Sequence, residues 1–272
     1  GALEDLDNLN VDVIAGDICD LNTVSKAMVG IDTVIHLAAD TRVINSIENP
    51  GFNFDVNVLG TLNLLSAAKK NDVETFVFAS TGGAILGNVE PPVHEAMPPR
   101  PISPYGASKL AGEAYCSAFS GAYGLKTIAL RFSNVYGPYS YHKGSVVAHF
   151  FNQLIHGTEF LVYGNGEQTR DFVFVEDICD GILRSIQTSH TGVYQLGTGI
   201  PTTINELIQL ISETVEDIYE IKVRYVEARS GEIQKSWCNI SHASDQLGYR
   251  ATTPIIEGLQ VTWNWFKQQS GC

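Results

Sequence analysis

Basic residues are scarce. The chain sets 17 Lys and Arg against 30 Asp and Glu, a net charge of −13 over 272 residues. A surface of that sign repels phosphate backbones, so no nucleic-acid partner is expected. A few placed Arg residues can still hold a small anion. Long apolar runs are missing too. No stretch reaches the roughly 18 residues that a bilayer span needs, and no signal-peptide pattern opens the chain. No membrane association is expected. The 5 Cys, at 19, 116, 179, 238 and 272, are odd in number, scattered and never spaced Cys-x-x-Cys. That argues against a disulfide framework and against a zinc site; it fits a reducing cytosol, and no metal is expected.

What is present is enough for a sizeable core: 44% hydrophobic residues and 17% charged. Short apolar runs rich in Val, Ile and Phe read as buried strands at 11–14, 32–39, 74–80, 126–132 and 193–197. Helical patterns lie between them, at 21–29, about 52–70, 104–121 and about 176–188. Strand alternating with helix implies a parallel sheet covered on both faces, with ligands at the carboxyl ends of its strands. The later chain is less regular. Residues 141–157 read as a loop and helix, and 160–178 as two short strands around a turn. Residues 203–217 read as a helix opened by a Thr203–Glu206 capping box, and the last helix starts at Pro254. No repeat or linker separates a second lobe. One further absence concerns the start, "GALEDLDNLNVDVIAGDICD": no glycine fingerprint precedes the first apolar run. A nucleotide-binding α/β unit opens with strand, Gly-rich turn and helix.

The chemistry gathers in "SPYGASKLAGE", residues 103–113. Ser103 and Pro104 form a helix start. Tyr105 and Lys109 then fall four apart on one face. A phenol near pKa 10 is a poor base at neutral pH, and a nearby cation lowers that value. The pair therefore suits removal of a proton from a sugar or alcohol hydroxyl. On its own, Tyr-x-x-x-Lys on a helix is usually incidental. Upstream, "ETFVFAS" brings Ser80 and Thr81 to the end of a buried strand, where a hydroxyl either shares the substrate's hydrogen bond or closes a turn. Small residues follow the first two apolar runs, in "GDI" (16–18) and "HLAAD" (36–40). Asn57 lies in a helix, placed either to reach a ligand or to bond locally.

Taken in order, "GDI", "HLAAD", "NVLGT", "SPYGASK", "RFSNVYGP", "YGNGEQTRDFVFVED" and "ARSGE" resemble the extended short-chain dehydrogenases, the NAD-dependent epimerase/dehydratase family. Within it the chain looks most like nucleotide-sugar 4-epimerases of the UDP-galactose 4-epimerase type. The resemblance implies an α/β, Rossmann-like doubly wound parallel sheet with the first strand-helix-strand unit missing, and a smaller interwoven α+β substrate domain. Residues 1–134 would form the dinucleotide-binding core, with about 171–199 returning to it. Residues 135–170 and 200–272 would form the substrate lobe.

The resemblance also assigns roles. Asp17 and Ile18 would flank the adenine of NAD, while Leu37, Ala38, Ala39 and Asn57 would lie along the cofactor's middle, with Ser133 also on the cofactor side. Tyr105 would be the base. Lys109 would bind the nicotinamide ribose and depress the Tyr pKa. Thr81, or next Ser80, would be the catalytic hydroxyl, since the family's position one residue further along holds Gly82. Asn134 and Tyr163 would contact the substrate, and Val146 and Val147 the nucleobase. Arg170, with Arg229 and Glu232, would clamp the diphosphate and nucleoside ribose. Ser236 would sit beside the sugar C2 substituent, where a small side chain leaves room for an N-acetyl group. Leu86 replaces a Tyr common at its place. Family dehydratases carry an Asp-Glu pair after the catalytic Thr; Gly82-Gly83-Ala84 offers no carboxylate, so C4 epimerisation of a UDP-hexose or UDP-N-acetylhexosamine is expected. The alternatives are a reductase or dehydrogenase of the same fold, or a catalytically impaired fragment or binding relative. A cytoplasmic homodimer, joined through the helices near 52–70 and 104–121, is the implied assembly.

Overall fold

The computed structural model describes residues 6, 9–215, 219–228 and 233–270. In chain order the elements begin with α1 (Leu21–Ala27), β1 (Thr33–His36), α2 (Val43–Glu48), α3 (Pro50–Phe54), a π-helical turn (Asp55–Leu59), α4 (Gly60–Lys70), β2 (Thr75–Thr81) and α5 (Pro104–Tyr123). There follow β3 (Lys126–Phe132), β4 (Asn134–Tyr136), α6 (Val146–Ile155), β5 (Phe160–Tyr163), β6 (Thr169–Arg170), β7 (Phe172–Phe174) and α7 (Val175–Gln187). The chain closes with β8 (Gly192–Leu196), β9 (Thr202–Thr203), α8 (Ile204–Val215), β10 (Val223–Val226), α9 (Ser241–Leu247) and α10 (Ile255–Ser270).

Four strands form one parallel sheet in the order β1-β2-β3-β8. Their side chains alternate between faces, and each face meets its own helices. Phe76, Phe78 and Ala129 pack with Leu65 of α4 and Cys116 and Phe119 of α5. Val77, Ile128 and Leu130 point the other way, against Ile178 and Ile182 of α7 and Leu247 of α9. Burying each large apolar side chain contributes about 1.5–3 kcal/mol. This is a Rossmann-like α/β arrangement. The remaining strands make two-stranded pairs, β5 with β10, β4 with β7 and β6 with β9. A separate core of Phe150, Phe151, Phe160, Leu207, Ile211, Trp263 and Phe266 joins α6, β5, α8 and α10.

Helix α5 carries the site, and its ends follow from sequence. Ser103 Oγ accepts from Gly106 N at 3.1 Å, Pro104 opens the first turn, and Gly124 closes the helix in the left-handed region at φ 72°. Two glycines let it approach the sheet closely. A Cβ on Gly106 would meet the Ala84 carbonyl, and one on Gly112 would meet the Phe78 ring. The expected capping box of α8 forms, with Thr203 N donating to Glu206 Oε2 at 2.7 Å and Glu206 N to Thr203 Oγ1 at 3.0 Å.

Three expectations need correction. Residues 11–14 are not a strand; Val11, Val13 and Ile14 are exposed coil, and no strand among the described residues pairs with them. Residues 160–178 hold three short strands rather than two: β5 runs parallel to β10, β6 antiparallel to β9 and β7 parallel to β4. Residues 200–272 do not pack as one unit either. Ala243, Leu247 and Tyr249 belong to the cluster on the four-stranded sheet, beside Tyr194 and Leu196.

Candidate active site

Tyr105, half-buried in the first turn of α5, is held from several sides. Its amide donates to Ser46 Oγ at 3.1 Å, and its carbonyl accepts from Ser108 Oγ at 2.9 Å. Thr81, at the end of β2, stands close enough to its phenol to favour the phenolate. Lys109, one turn on and 4% exposed, donates from Nζ to the Ala79 carbonyl at 2.8 Å and lies 4.8 Å from the Phe78 ring centroid. Burial pushes the Lys109 ammonium down to about 8.

The expected depression of the Tyr105 pKa is absent. Burial pushes the phenol up; the Thr81 hydrogen bond opposes this, and the charge of Asp40 adds to it. Burial is the largest cause, and the Lys109 ammonium is bonded to a backbone carbonyl of β2. The second hydroxyl, Ser80, is turned away from Tyr105: 5% exposed, it donates to Glu113 Oε1 at 2.6 Å. Of the two candidates only Thr81 meets the phenol, because alternation along β2 sends Ser80 beneath α5.

The cofactor-side loops are anchored by amides from the α3–α4 segment. Asn57, in the π-helical turn, accepts from Asp40 N at 2.8 Å and donates to Asp40 O at 2.9 Å and Ser108 Oγ at 3.0 Å. Its side chain is 2% exposed and spends three of its four hydrogen-bonding sites here, so it holds the loop to the α5 turn. Asn53 Nδ2 donates to Asp40 Oδ2 at 2.9 Å. Asn63 Nδ2 donates to the carbonyls of Ile18 and Cys19, each at 3.1 Å. Ile18 packs against Gly60, where a Cβ would come within 2.6 Å of its Cδ1. Asp17 stays exposed, accepting from Cys19 N at 2.8 Å. Leu37 is 55% exposed, Ala38 exposed and Ala39 half-buried at the end of β1.

These features fit a dinucleotide. Exposed apolar and small residues follow β1, and an exposed carboxylate stands in the neighbouring loop. The buried Lys109 ammonium has three donors, of which one bond is recorded among the described residues. The others suit ribose hydroxyls.

On the substrate side, Ser236 N donates to Thr169 O at 3.2 Å, and its Oγ lies 3.3 Å from where a Gly83 Cβ would be. Ser236, Gly83 and the β6 strand carrying Arg170 thus come together. Arg170 is half-buried and its Nη1 donates to Thr169 O at 2.8 Å. Asn134 is exposed, with its amide on the Asp171 carbonyl at 2.8 Å. Tyr163 is half-buried at the end of β5. Val146 is half-buried, but Val147 is 1% exposed inside the core and is not available to a nucleobase. Ser133 is likewise diverted: its Oγ faces Asp171 Oδ2 at 3.4 Å and Cys238 Sγ at 3.3 Å. Leu86 is fully buried with Ile85, Val93 and Cys238. Arg229 and Glu232 lie outside the described residues.

Sequence reasoning missed three residues. Asp171, 1% exposed, accepts from Thr198 N at 2.8 Å, Thr198 Oγ1 at 2.6 Å, Gly199 N at 3.0 Å and Cys238 N at 3.3 Å. It ties the end of β8 to the segment bearing Ser236. His36, 4% exposed, sits 2.9 Å from Thr61 Oγ1 with its ring against Phe76 and Phe78. Burial, and after it the Lys109 charge, push its imidazole down to about 3. The third, Glu113, pairs with Arg131 at 2.8 Å in the interior. A carboxylate among the small residues of α5, four after Lys109, was the available signal. Among the described residues no group of three or more His, Cys, Asp or Glu could hold a metal, no helix is long and apolar enough to cross a membrane, and Cys19, Cys116, Cys179 and Cys238 are free.

Known proteins resemble this chain in sequence and in fold. A putative UDP-glucose 4-epimerase of Methanocaldococcus jannaschii is 37% identical over 245 residues, covering 88% of this chain and 78% of that protein. The crystal structure of a UDP-glucose 4-epimerase with UDP-glucose from Thermotoga maritima is 35% identical with a TM-score of 0.93, covering 99% of this chain and 88% of that one. The dTDP-D-glucose 4,6-dehydratase of Homo sapiens is 34% identical over 268 residues, covering 95% of this chain and 76% of its own length. Residues 2–197 match the model of the NAD dependent epimerase/dehydratase family, and the chain belongs to that family.

Proposed function

We propose that the chain is a nucleotide-sugar C4 epimerase acting on a UDP-linked hexose or N-acetylhexosamine. The observation that carries this reading is the Thr81–Tyr105–Lys109 group at the end of β2, followed by Gly82-Gly83-Ala84 with no carboxylate. A Cβ on Gly82 would lie 3.1 Å from Gln195 Oε1 and 3.3 Å from the Phe132 carbonyl, so a side chain there would have to displace its neighbours. Water elimination needs an acid and a base beyond the Tyr; hydride removal and return does not.

Tyr105 takes the proton of the sugar hydroxyl, and Thr81 shares that hydrogen bond and favours the phenolate. Lys109 holds ribose hydroxyls with the donors it does not spend on Ala79. Asp17, Ile18, Leu37, Ala38 and Ala39 line the rest of the cofactor side. With NAD held there, the cofactor would supply a hydride acceptor and donor for the sugar carbon, and its positive ring would favour the Tyr105 phenolate. Arg170, with Arg229 and Glu232, grips the diphosphate and nucleoside ribose while the sugar turns; an Arg fork suits that task better than Lys. Asn134, Tyr163 and Val146 border the nucleotide. Ser236 opposite Gly83 leaves space beside the sugar for an N-acetyl group.

The chain also pairs with a second copy through α3 and α5. Phe52 is 62% and Phe54 56% exposed, and Phe54 borders a groove with Val58, Pro104, Ala107 and Ala111. An apolar patch of that kind marks an interface.

The test is incubation with NAD and a panel of UDP-, dTDP-, GDP- and CDP-sugars, followed by NMR. Inversion at C4 without net NADH is the expected result. Loss of water from the sugar would identify a dehydratase, and NADH in step with product would identify a dehydrogenase. For the sugar, Ser236→Tyr should abolish turnover of the N-acetylated substrate and spare the plain hexose; equal loss of both contradicts the assignment.

A further inference from the structure

A row of polar side chains crosses the sheet beneath the reacting groups. Ser80, Arg131 and Gln195 occupy matched register positions on β2, β3 and β8, so they leave the same face. All three are buried. Glu113 of α5 closes the row. Its Oε1 accepts from Ser80 Oγ at 2.6 Å and from Arg131 Nε at 2.8 Å, and its Oε2 accepts from Arg131 Nη2 at 2.8 Å. The fork is bidentate and almost dry. Stability alone is a poor reason for it, since apolar groups of the same volume often serve a core as well or better. The row is not even self-sufficient: Arg131 Nη1 and both amide atoms of Gln195 meet no partner among the described residues.

Its position gives the reason. Three consecutive residues of β2 are taken by three successive turns of α5. The Ala79 carbonyl accepts from Lys109, Ser80 donates to Glu113, and Thr81 stands beside the Tyr105 phenol. Tyr105, Lys109 and Glu113 recur every four residues, along one face of the helix. Of the three links, only the middle one is backed by a buried charge pair on the next strand.

We propose that Glu113 is a positioning residue: by gripping Ser80 and Arg131 it fixes the strand-to-helix register that sets Thr81 against Tyr105. The proposal rests on the reading of Tyr105 as the base, but not on the identity of the sugar. Loss of the grip lets the end of β2 slide under α5, lengthening the Thr81–Tyr105 bond while the nucleotide-holding groups stay where they are.

The experiment compares Ser80→Ala, Ser80→Thr and Glu113→Gln in the full chain, with ring-13C tyrosine and the Tyr105 signal identified by its loss in Tyr105→Phe. The Tyr105 resonance should move in Ser80→Ala and return in Ser80→Thr, with other Tyr signals unchanged. With NAD and a turned-over sugar, Ser80→Ala should lower kcat by about tenfold or more with KM within about twofold, the mark of an interaction used in the transition state. Glu113→Gln should move the resonance further. Should it fail to fold, Ser80→Ala decides alone, because it leaves the Arg131–Glu113 pair intact. A lower Tm with an unmoved Tyr105 signal and unchanged kcat means a merely structural role and overturns the proposal. A wild-type chain inactive on every sugar overturns the epimerase reading; the resonance still decides the positioning role.

Discussion

Two runs of the chain look alike on paper and behave differently. "VDVI" at 11–14 and "TFVFAST" at 75–81 are both short and rich in β-branched or aromatic residues, and a polar residue precedes each. The second is a central strand, bonded along both edges, with Phe76 and Phe78 fully buried beneath α5. The first is coil, with Val13 56% and Ile14 60% exposed. The difference lies in neighbours, not in propensity. A strand is made by the edges it pairs with and the helix that covers it. The same contrast separates the reacting groups from their surroundings: those on β2 and α5 are placed by several bonds each, while the Asp17 loop is tied mainly through backbone carbonyls to Asn63.

The comparison breaks most sharply at Arg131. Arg131→Met strands the Glu113 carboxylate in the interior and should cost about 3–5 kcal/mol in denaturant unfolding; a loss below about 1 kcal/mol would mean that the centre is not held as described. A smaller effect follows from His36, where β1 joins that centre. Its imidazole titrates at about 3 in the folded chain against 6.5 for the ordinary group. The folded state therefore binds fewer protons than the unfolded one in that window. Stability is complete above about pH 6.5 and should fall by about 1.4 kcal/mol per pH unit below it. His36→Gln should flatten that slope between pH 6 and 4, and an unaltered slope would place its origin in other groups. The smallest effect belongs to the exposed run: Val13→Ser should change stability by less than about 0.5 kcal/mol. A larger loss would show that residues 11–14 are covered in solution.

Sequence periodicity located β1, β2, β3, β8 and the four main helices between them, because runs buried on two faces leave an unbroken apolar signature. It gave Tyr105, Lys109 and Thr81 as a group. It could not separate Ser80 from Thr81, since which of two adjacent hydroxyls faces the cleft depends on where the strand ends. It gave no sign of the partners of Asn57 and Ser133, whose short polar side chains bond Asp40, Ser108 and Asp171, residues distant in sequence. Val147 enters the core while Val146 does not, because successive residues of a helix point about 100° apart. Pairings such as β5 with β10 join segments some sixty residues apart, and local pattern carries no trace of them.

Everything functional turns on the phenol of Tyr105. The most direct measurement pairs turnover with affinity in Tyr105→Phe, following C4 inversion of a UDP-sugar by NMR and nucleotide binding by calorimetry. The account predicts that inversion falls by about a hundredfold or more, as expected for loss of a general base, while UDP-sugar affinity stays within about twofold. Inversion at the wild-type rate in Tyr105→Phe would contradict it.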